Sequence, residues 1–140
     1  MNINPARWNR NSAYLVSERA YLLHTEGHYR ESLALFEGLL DIYPDDLYYR
    51  DAVSALYLAL GKPEEAVRQA SVIIEAEPTH INAFVRRCEG YLRLGMSREA
   101  EQDLEQLREL RAEAEVRRME MRLIAVRRKQ LGATSQGIQK

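Results

Sequence analysis

The sequence comes closest to a metal-binding pattern in the segment HTEGH, at positions 24–28. The zinc-protease pattern needs a glutamate directly after the first histidine, on an unbroken helix. Here Glu26 is displaced by one position, and Gly27 favours a helix end between His24 and His28. No third ligand is indicated, so we interpret the segment as a helix terminus with two solvated histidines and predict no metal site.

Cys88 is the single cysteine of the chain, which excludes an internal disulfide. A reducing compartment, the cytoplasm, is the simplest expectation. No histidine is placed to activate the thiol, so we interpret Cys88 as a buried, inert residue. The sequence has no glycine-rich phosphate loop and no convincing pair of catalytic acids. We therefore predict neither a cofactor nor an enzymatic activity.

Composition indicates a folded, non-secreted domain. The chain has 140 residues, of which 46% are hydrophobic and 29% charged, and its net charge is −1. That balance provides no global attraction to nucleic acid or to an acidic membrane. The N-terminal stretch MNINPARW lacks the pattern of a signal peptide. The longest uncharged apolar run, residues 52–61, is too short to span a bilayer as a helix.

Helix-breaking residues recur at a constant interval. Gly27, Gly61 and Gly95 are 34 residues apart, twice over. Four further columns keep this spacing: Ser32, Ala66 and Ala100; Phe36, Ala70 and Leu104; Leu39, Ile73 and Leu107; and Pro44 with Pro78. Apolar residues follow helical spacing and strand patterns are missing, so an all-α fold with a 34-residue repeat is predicted.

Each column has a physical explanation. Glycine ends a helix in a left-handed turn, and Pro63 opens the next helix where its missing N–H costs nothing. The small residues allow two helices to cross closely, and the prolines end the second helix of the repeat. Asp46 and its neighbour Asp45 are expected to cap the following helix, as is Thr79 in the next repeat.

These columns resemble the tetratricopeptide repeat (TPR) family, whose unit is a helix–turn–helix of 34 residues. The resemblance implies a right-handed superhelical stack of three repeats with a closing helix. The predicted parts are an N-terminal segment, three repeats, a C-terminal capping helix and a flexible tail. Their bounds are 1–12, then 13–46, 47–80 and 81–114, then 115–131 and 132–140.

The C-terminal helix carries an apolar stripe: Ala112, Val116, Met119, Leu123 and Val126. The stripe can cap the last repeat within the chain, or it can pair with a second copy as a short coiled coil. Charge is uneven here, with a net of −4 over residues 101–115 and +5 over residues 116–131. This asymmetry suits the helix dipole, while contact with nucleic acid or an acidic surface through the basic half is a weaker alternative. We expect no nucleic-acid partner and no membrane span.

The resemblance also implies a concave groove lined by the first helix of each repeat, where partners of the family usually lie. The corresponding residues are Tyr14, Ser17, Tyr21, His24 and Thr25; Tyr48, Asp51, Ala55, Leu58 and Ala59; and Asn82, Val85, Glu89, Leu92 and Arg93. The lysines with which some members grip a C-terminal carboxylate are absent. An exposed apolar groove needs an occupant. That occupant is either a partner peptide or the N-terminal segment with Pro5 and Trp8.

The preferred hypothesis is a non-enzymatic binding module that holds an apolar segment of another protein. In size and architecture the chain looks like the small TPR chaperones of bacterial type III secretion. Translocator chaperones usually have a longer N-terminal extension, which favours a needle or export-apparatus subunit as the client here. The alternative is a scaffold or adaptor that dimerises through its C-terminal helix.

Overall fold

The computed structural model describes residues 8–138, which form seven α-helices and no strand. In chain order they are α1 (Arg10–Thr25), α2 (Tyr29–Ile42), α3 (Leu47–Ala59), α4 (Pro63–Ala76), α5 (Ile81–Arg93), α6 (Ser97–Glu109) and α7 (Glu113–Ile138). Each helix packs against the next, so the first six make three hairpins that stack side by side, and α7 packs against both α5 and α6. The all-α prediction is confirmed. None of the helices in this part of the chain is both long and apolar enough to cross a membrane.

The three repeated glycines have the same backbone geometry. The φ angles of Gly27, Gly61 and Gly95 are 85°, 73° and 74°, in the left-handed region that favours glycine. Each turn is closed by two backbone hydrogen bonds. At Gly61, for example, its N–H binds the Leu58 carbonyl at 3.1 Å. The predicted function of the glycine column, ending the first helix of each hairpin, is therefore confirmed.

The N-termini of α1, α3 and α5 are capped by the side chains of three different residue types. Asn9 accepts a hydrogen bond from the Ser12 N–H at 2.9 Å, and α1 consequently begins at Arg10, ahead of the predicted first repeat. Asp46 caps α3 as predicted. The cap of α5 is His80 and not Thr79, because the His80 Nδ1 accepts the hydrogen bond of the Ala83 N–H at 3.1 Å.

The two helices of each hairpin cross at a pair of small residues that are at most 1% exposed. One member of each pair donates a hydrogen bond to the backbone carbonyl of the other: Ser32 to Ala20 at 2.7 Å, Ser54 to Ala66 at 2.9 Å, and the Cys88 thiol to Ala100 at 3.5 Å. The polar group is thereby satisfied inside an otherwise apolar crossing, and unpaired burial would cost several kcal/mol.

The C-terminal helix differs from the prediction in its start and its end. It begins at Glu113, ahead of the predicted start at residue 115. A turn at Arg111 separates it from α6. With a φ of 59°, Arg111 is the one non-glycine residue among those described that has a left-handed backbone. The helix continues to Ile138, beyond the predicted end near Leu131, and residues 132–138 of the expected tail are helical. Gly132 does not end it, because a single glycine costs a helix interior only about 1 kcal/mol.

A buried ion pair that was not predicted from the sequence joins the two helices of the third repeat. Asp103 on α6 is 2% exposed. Arg87 on α5 binds it with two hydrogen bonds, from Nε at 2.9 Å and from Nη2 at 2.7 Å. Its Nη1 also donates to Ser71 of α4 at 3.3 Å. One guanidinium therefore joins three consecutive helices.

We predict that Gly90→Ala destabilises the protein by about 1–3 kcal/mol. A β-carbon at this position would lie 2.6 Å from Val67 Cγ2 and 3.2 Å from the Pro63 carbonyl oxygen, so α4 and α5 would have to separate. The matched control is Gly38→Ala, because Gly38 is also helical but its β-carbon would meet nothing within 4 Å. This control should gain up to about 1 kcal/mol. Urea unfolding followed by circular dichroism measures both, and equal shifts would contradict the close approach.

We predict that Arg111→Gly raises the free energy of unfolding by about 0.5–1 kcal/mol, because it removes the strain of a left-handed non-glycine residue. The reverse change, Gly61→Ala, should cost a similar amount, since no side chain lies near Gly61 and only its φ of 73° is at issue. Thermal unfolding of the two variants checks the pair of signs. A loss of stability in Arg111→Gly would show that the arginine side chain holds the turn.

Candidate functional site: the concave groove

The odd-numbered helices share one concave surface. A cleft of about 460 Å³ is lined by residues from all four of them, α1, α3, α5 and α7. We call it the arginine cleft, and its lining residues are His24, Ala55, Leu58, Ala59, Val85, Arg86, Glu89, Arg93, Arg118, Met119 and Arg122. Because the hairpins repeat, their first helices face the same side, and α7 continues that wall beyond the third repeat.

A second cleft of about 500 Å³ lies between α1 and α3. We call it the tyrosine cleft, and it is lined by Tyr14, Ser17, Glu18, Tyr21, Leu22, Asp46, Tyr48 and Tyr49. Tyr14, Tyr21 and Tyr48 are 60%, 55% and 60% exposed, so three large aromatic side chains form one exposed patch. The Tyr14 hydroxyl donates a hydrogen bond to Glu18 at 2.8 Å, and this bond raises the pKa of Tyr14.

Most of the predicted groove residues line one of these clefts, but four do not. Leu92 is 2% exposed and packs in the core, so it supports the groove from beneath. An apolar leucine is compatible with the groove surface or with the core, and packing of α6 and α7 against α5 buries it. Thr25 and Asn82 are exposed outside both linings. Asp51 lies outside them too and pairs with Arg86 at 3.3 Å. Leu58, at 8%, forms the floor of the arginine cleft.

The basic wall of the groove was not predicted from the sequence. Arg118 and Arg122 are one helical turn apart on α7 and flank Met119, which is 4% exposed. The i, i+4 spacing beside a buried stripe residue was the available signal. The two arginines were counted only as part of the basic half of the helix, because the sequence does not show that α7 lies along the groove. Leu22, which is 50% exposed in the tyrosine cleft, was not predicted either.

The apolar stripe of α7 packs inside the chain. Ala112, Met119 and Leu123 are at most 6% exposed, and they pack with core residues of α5 and α6. Val116 and Val126 are half-buried against the same cluster. This arrangement corresponds to the capping interpretation. A coiled coil with a second copy would require the same five side chains to leave that core.

Glu89 connects α5 to α7 within the arginine cleft. Its carboxylate accepts two hydrogen bonds from Arg122 of α7, at 2.7 and 3.1 Å, and one from Arg93 at 3.1 Å. Burial raises the pKa of Glu89, but the hydrogen bonds and charges of the two arginines outweigh it and lower the pKa below its ordinary value. The ionised pair therefore holds α7 against α5.

Trp8 lies away from the groove. Its indole Nε1 donates a hydrogen bond to the Tyr43 hydroxyl at 3.1 Å, at the end of α2, and it lines neither cleft. Pro5 lies outside the described residues. Trp8, which was considered as an occupant of the groove, therefore packs elsewhere in this structure.

The groups considered for chemistry are not arranged for it. His24 and His28 are separated by the turn at Gly27, and the described part of the chain contains no cluster of three potential metal ligands. Burial raises the pKa of the Cys88 thiol to about 12, so the nucleophilic thiolate is not formed near neutral pH.

We predict that Glu89→Gln lowers the free energy of unfolding by roughly 1–3 kcal/mol at pH 7. Because the folded-state pKa is depressed, the contribution is present above the ordinary value of about 4.3 and is lost as pH falls through the depressed pKa. The difference between the two proteins should therefore shrink below about pH 4. Urea unfolding over pH 3–7 measures it.

The matched control for this prediction is Glu101→Gln. Glu101 pairs with Arg127 and so also connects α7 to the stack, but its side chain is 50% exposed, against 15% for Glu89. An exposed pair contributes at most about 1 kcal/mol. A pH-independent difference for Glu89→Gln, or an equal loss in the control, would contradict the proposed link.

No protein-family model matches the chain. Among curated proteins it is 30% identical over 89 residues to the TPR repeat-containing thioredoxin TTL4 of Arabidopsis thaliana. It is 31% identical over 96 residues to DnaJ homolog subfamily C member 3 of Bos taurus. The matches cover 64% and 66% of this chain, but it spans only 13% and 19% of the length of those proteins.

Solved structures match over more of their length. PcrH from Pseudomonas aeruginosa has a TM-score of 0.78 at 21% identity, covering 89% of this chain and 98% of that one. PcrH in complex with the chaperone binding region of PopB has 0.76 at 19%, covering 83% and 98%. The Yersinia enterocolitica type III secretion translocator chaperone SycD has 0.78 at 18%, covering 89% and 90%. The chain therefore has the right-handed tetratricopeptide-repeat fold, which confirms the resemblance inferred from its 34-residue period.

Proposed function

We propose that the protein is a non-enzymatic binding module that holds an apolar segment of a partner protein in its concave groove. The observation that carries the proposal is the tyrosine cleft. Three tyrosines, each more than half exposed, and the half-exposed Leu22 surround one open cleft on the concave face. Exposed apolar surface concentrated in one concavity is typical of an interaction site.

The chemistry of the tyrosine cleft suits an extended or amphipathic peptide. Tyrosine offers a large apolar contact and a hydroxyl that remains solvated at the rim, and it loses little conformational entropy on binding. Tyr48 is already oriented, because its ring packs against Tyr49 at 5.9 Å and Phe36 at 6.4 Å between centroids. A preorganised aromatic surface needs less ordering when a partner binds.

A chaperone function of the type III secretion kind is the more specific form of the proposal. Support comes from the fold shared with SycD, a translocator chaperone, and with PcrH, solved together with the chaperone binding region of PopB. We propose a cytoplasmic chaperone of this kind. SycD is by its name a translocator chaperone, whereas the sequence predicted a needle or export-apparatus client, and co-purification of the partner decides between the two client classes. A shared fold does not by itself determine function, so the client is identified by experiment.

We predict that Tyr21→Ala combined with Tyr48→Ala weakens binding of the partner at least about 30-fold, since each lost aromatic contact is worth about 1 kcal/mol or more. The partner is first identified by mass spectrometry after co-purification from the native host. The affinity of its purified segment is then measured by calorimetry for the wild-type and variant proteins.

The matched control is Ile42→Ala combined with Val72→Ala. Ile42 and Val72 are 40% and 45% exposed and lie on α2 and α4, outside both clefts. The control should bind like the wild-type protein, and circular dichroism should show native helix in all three. Unchanged affinity in the tyrosine variant would exclude the tyrosine cleft as the binding site.

A further inference from the structure

We propose that the arginine cleft binds the carboxylates of acidic residues within the partner segment, and that this fixes which end of the segment lies against α7. The inference rests on the proposed function, because it describes the partner of the same groove. It is carried by the arrangement of four arginines on two helices, α5 and α7, around one cleft.

The arginine cleft has an excess of positive charge. Four arginines and a single acid, Glu89, line it. Counting Asp51, which binds Arg86 at 3.3 Å from outside the lining, two positive charges remain uncompensated. Placed around a concavity, these charges reinforce each other's field at its centre and favour an anionic ligand.

Donor groups remain available in the cleft. A guanidinium has five N–H donors. Arg122 uses two N–H groups on Glu89, and Arg86 uses one on Asp51. Arg118 is exposed and makes no ion pair or side-chain hydrogen bond with any residue from 8 to 134. A carboxylate that enters can therefore bind Arg118 and the spare donors without breaking the link to Glu89.

The other end of the groove has the opposite charge. The tyrosine cleft is lined by two acids, Glu18 and Asp46, and by no arginine or lysine. Acidic residues of a bound segment are repelled there and attracted at the arginine cleft. A segment with an apolar part and an acidic part therefore binds in one orientation, with its acidic part against α5 and α7.

The test uses two synthetic hexapeptides with blocked ends, one of sequence Glu-Leu-Glu-Glu-Leu-Glu and one with glutamine in place of every glutamate. Blocking removes the terminal carboxylate, so only side-chain carboxylates are probed. Binding to the full chain is followed by NMR, with the arginine side-chain Nε–H signals as reporters. Arg118→Glu is compared with Arg128→Glu, which has the same charge change at an exposed position outside both clefts.

We expect the acidic peptide to bind at least about tenfold more tightly than the glutamine peptide, and to shift the signals of Arg118 and Arg122. Arg118→Glu should weaken its binding about tenfold, while Arg128→Glu changes it less than about twofold. Raising the salt concentration should weaken the acidic peptide selectively. Equal affinities of the two peptides, no binding of the acidic peptide, or equal effects of the two variants would each overturn the inference.

The two proposals can fail separately. If the partner segment is lost on changing Tyr21 and Tyr48 but retained by Arg118→Glu, the groove binds a partner and the inference about its acidic end is wrong. If the acidic peptide binds the arginine cleft while the tyrosine changes leave the partner bound, the proposed binding site is wrong instead. Loss of partner binding in both variants, with native helix content, supports both.

Discussion

The structure depends on the close crossing of two helices in each hairpin. The crossing residues are small, and in each case a hydroxyl or thiol binds the opposing carbonyl across it. The donor is on the second helix in the first hairpin, at Ser32, and on the first helix in the next two, at Ser54 and Cys88. The close approach of the two helices is thus retained in every hairpin, while the donor group and the helix that carries it change. Since the crossing fixes the angle within each hairpin, the first helices of all three face one side and create the groove.

The helix that ends the stack also completes the site. An unclosed third repeat would expose the apolar residues that Met119 and Leu123 cover. With these two side chains buried, Arg118 and Arg122 are placed on the neighbouring edge of α7, beside the concave surface. The turn at Arg111 allows this placement despite its backbone strain, because it separates α7 from α6 and lets it pack as a further groove-lining helix. Stability of the cap and the charge of the groove are consequently linked.

The repeat could be predicted from the sequence because its columns are local and periodic. Glycine turns and small crossing residues depend on backbone geometry that recurs every 34 residues. The Arg87–Asp103 pair was not predictable in this way, because it depends on two helices being adjacent, and the residues 34 positions earlier are Val53 and Gln69, which cannot form an ion pair. Leu92 illustrates a related limit. Its repeat position suggested the groove surface, but packing of α6 and α7 around α5 buried it. The predicted end of α7, at residue 131, was wrong because the helix continues through Gly132 to Ile138, and helical backbone angles are open to glycine.

The proposed recognition of a partner depends on positions that the repeat leaves free to vary. Equivalent groove positions in the three repeats are Tyr14, Tyr48 and Asn82 in one column, and Tyr21, Ala55 and Glu89 in another. Both columns change from aromatic to polar or charged along the stack, while the crossing and turn columns hardly change. The fold therefore supplies the same backbone surface three times, and the side chains grade it from an aromatic, acidic end to an arginine-rich end. A partner segment that matches this gradient binds in one preferred orientation. A uniformly apolar segment would have no preferred orientation in the groove.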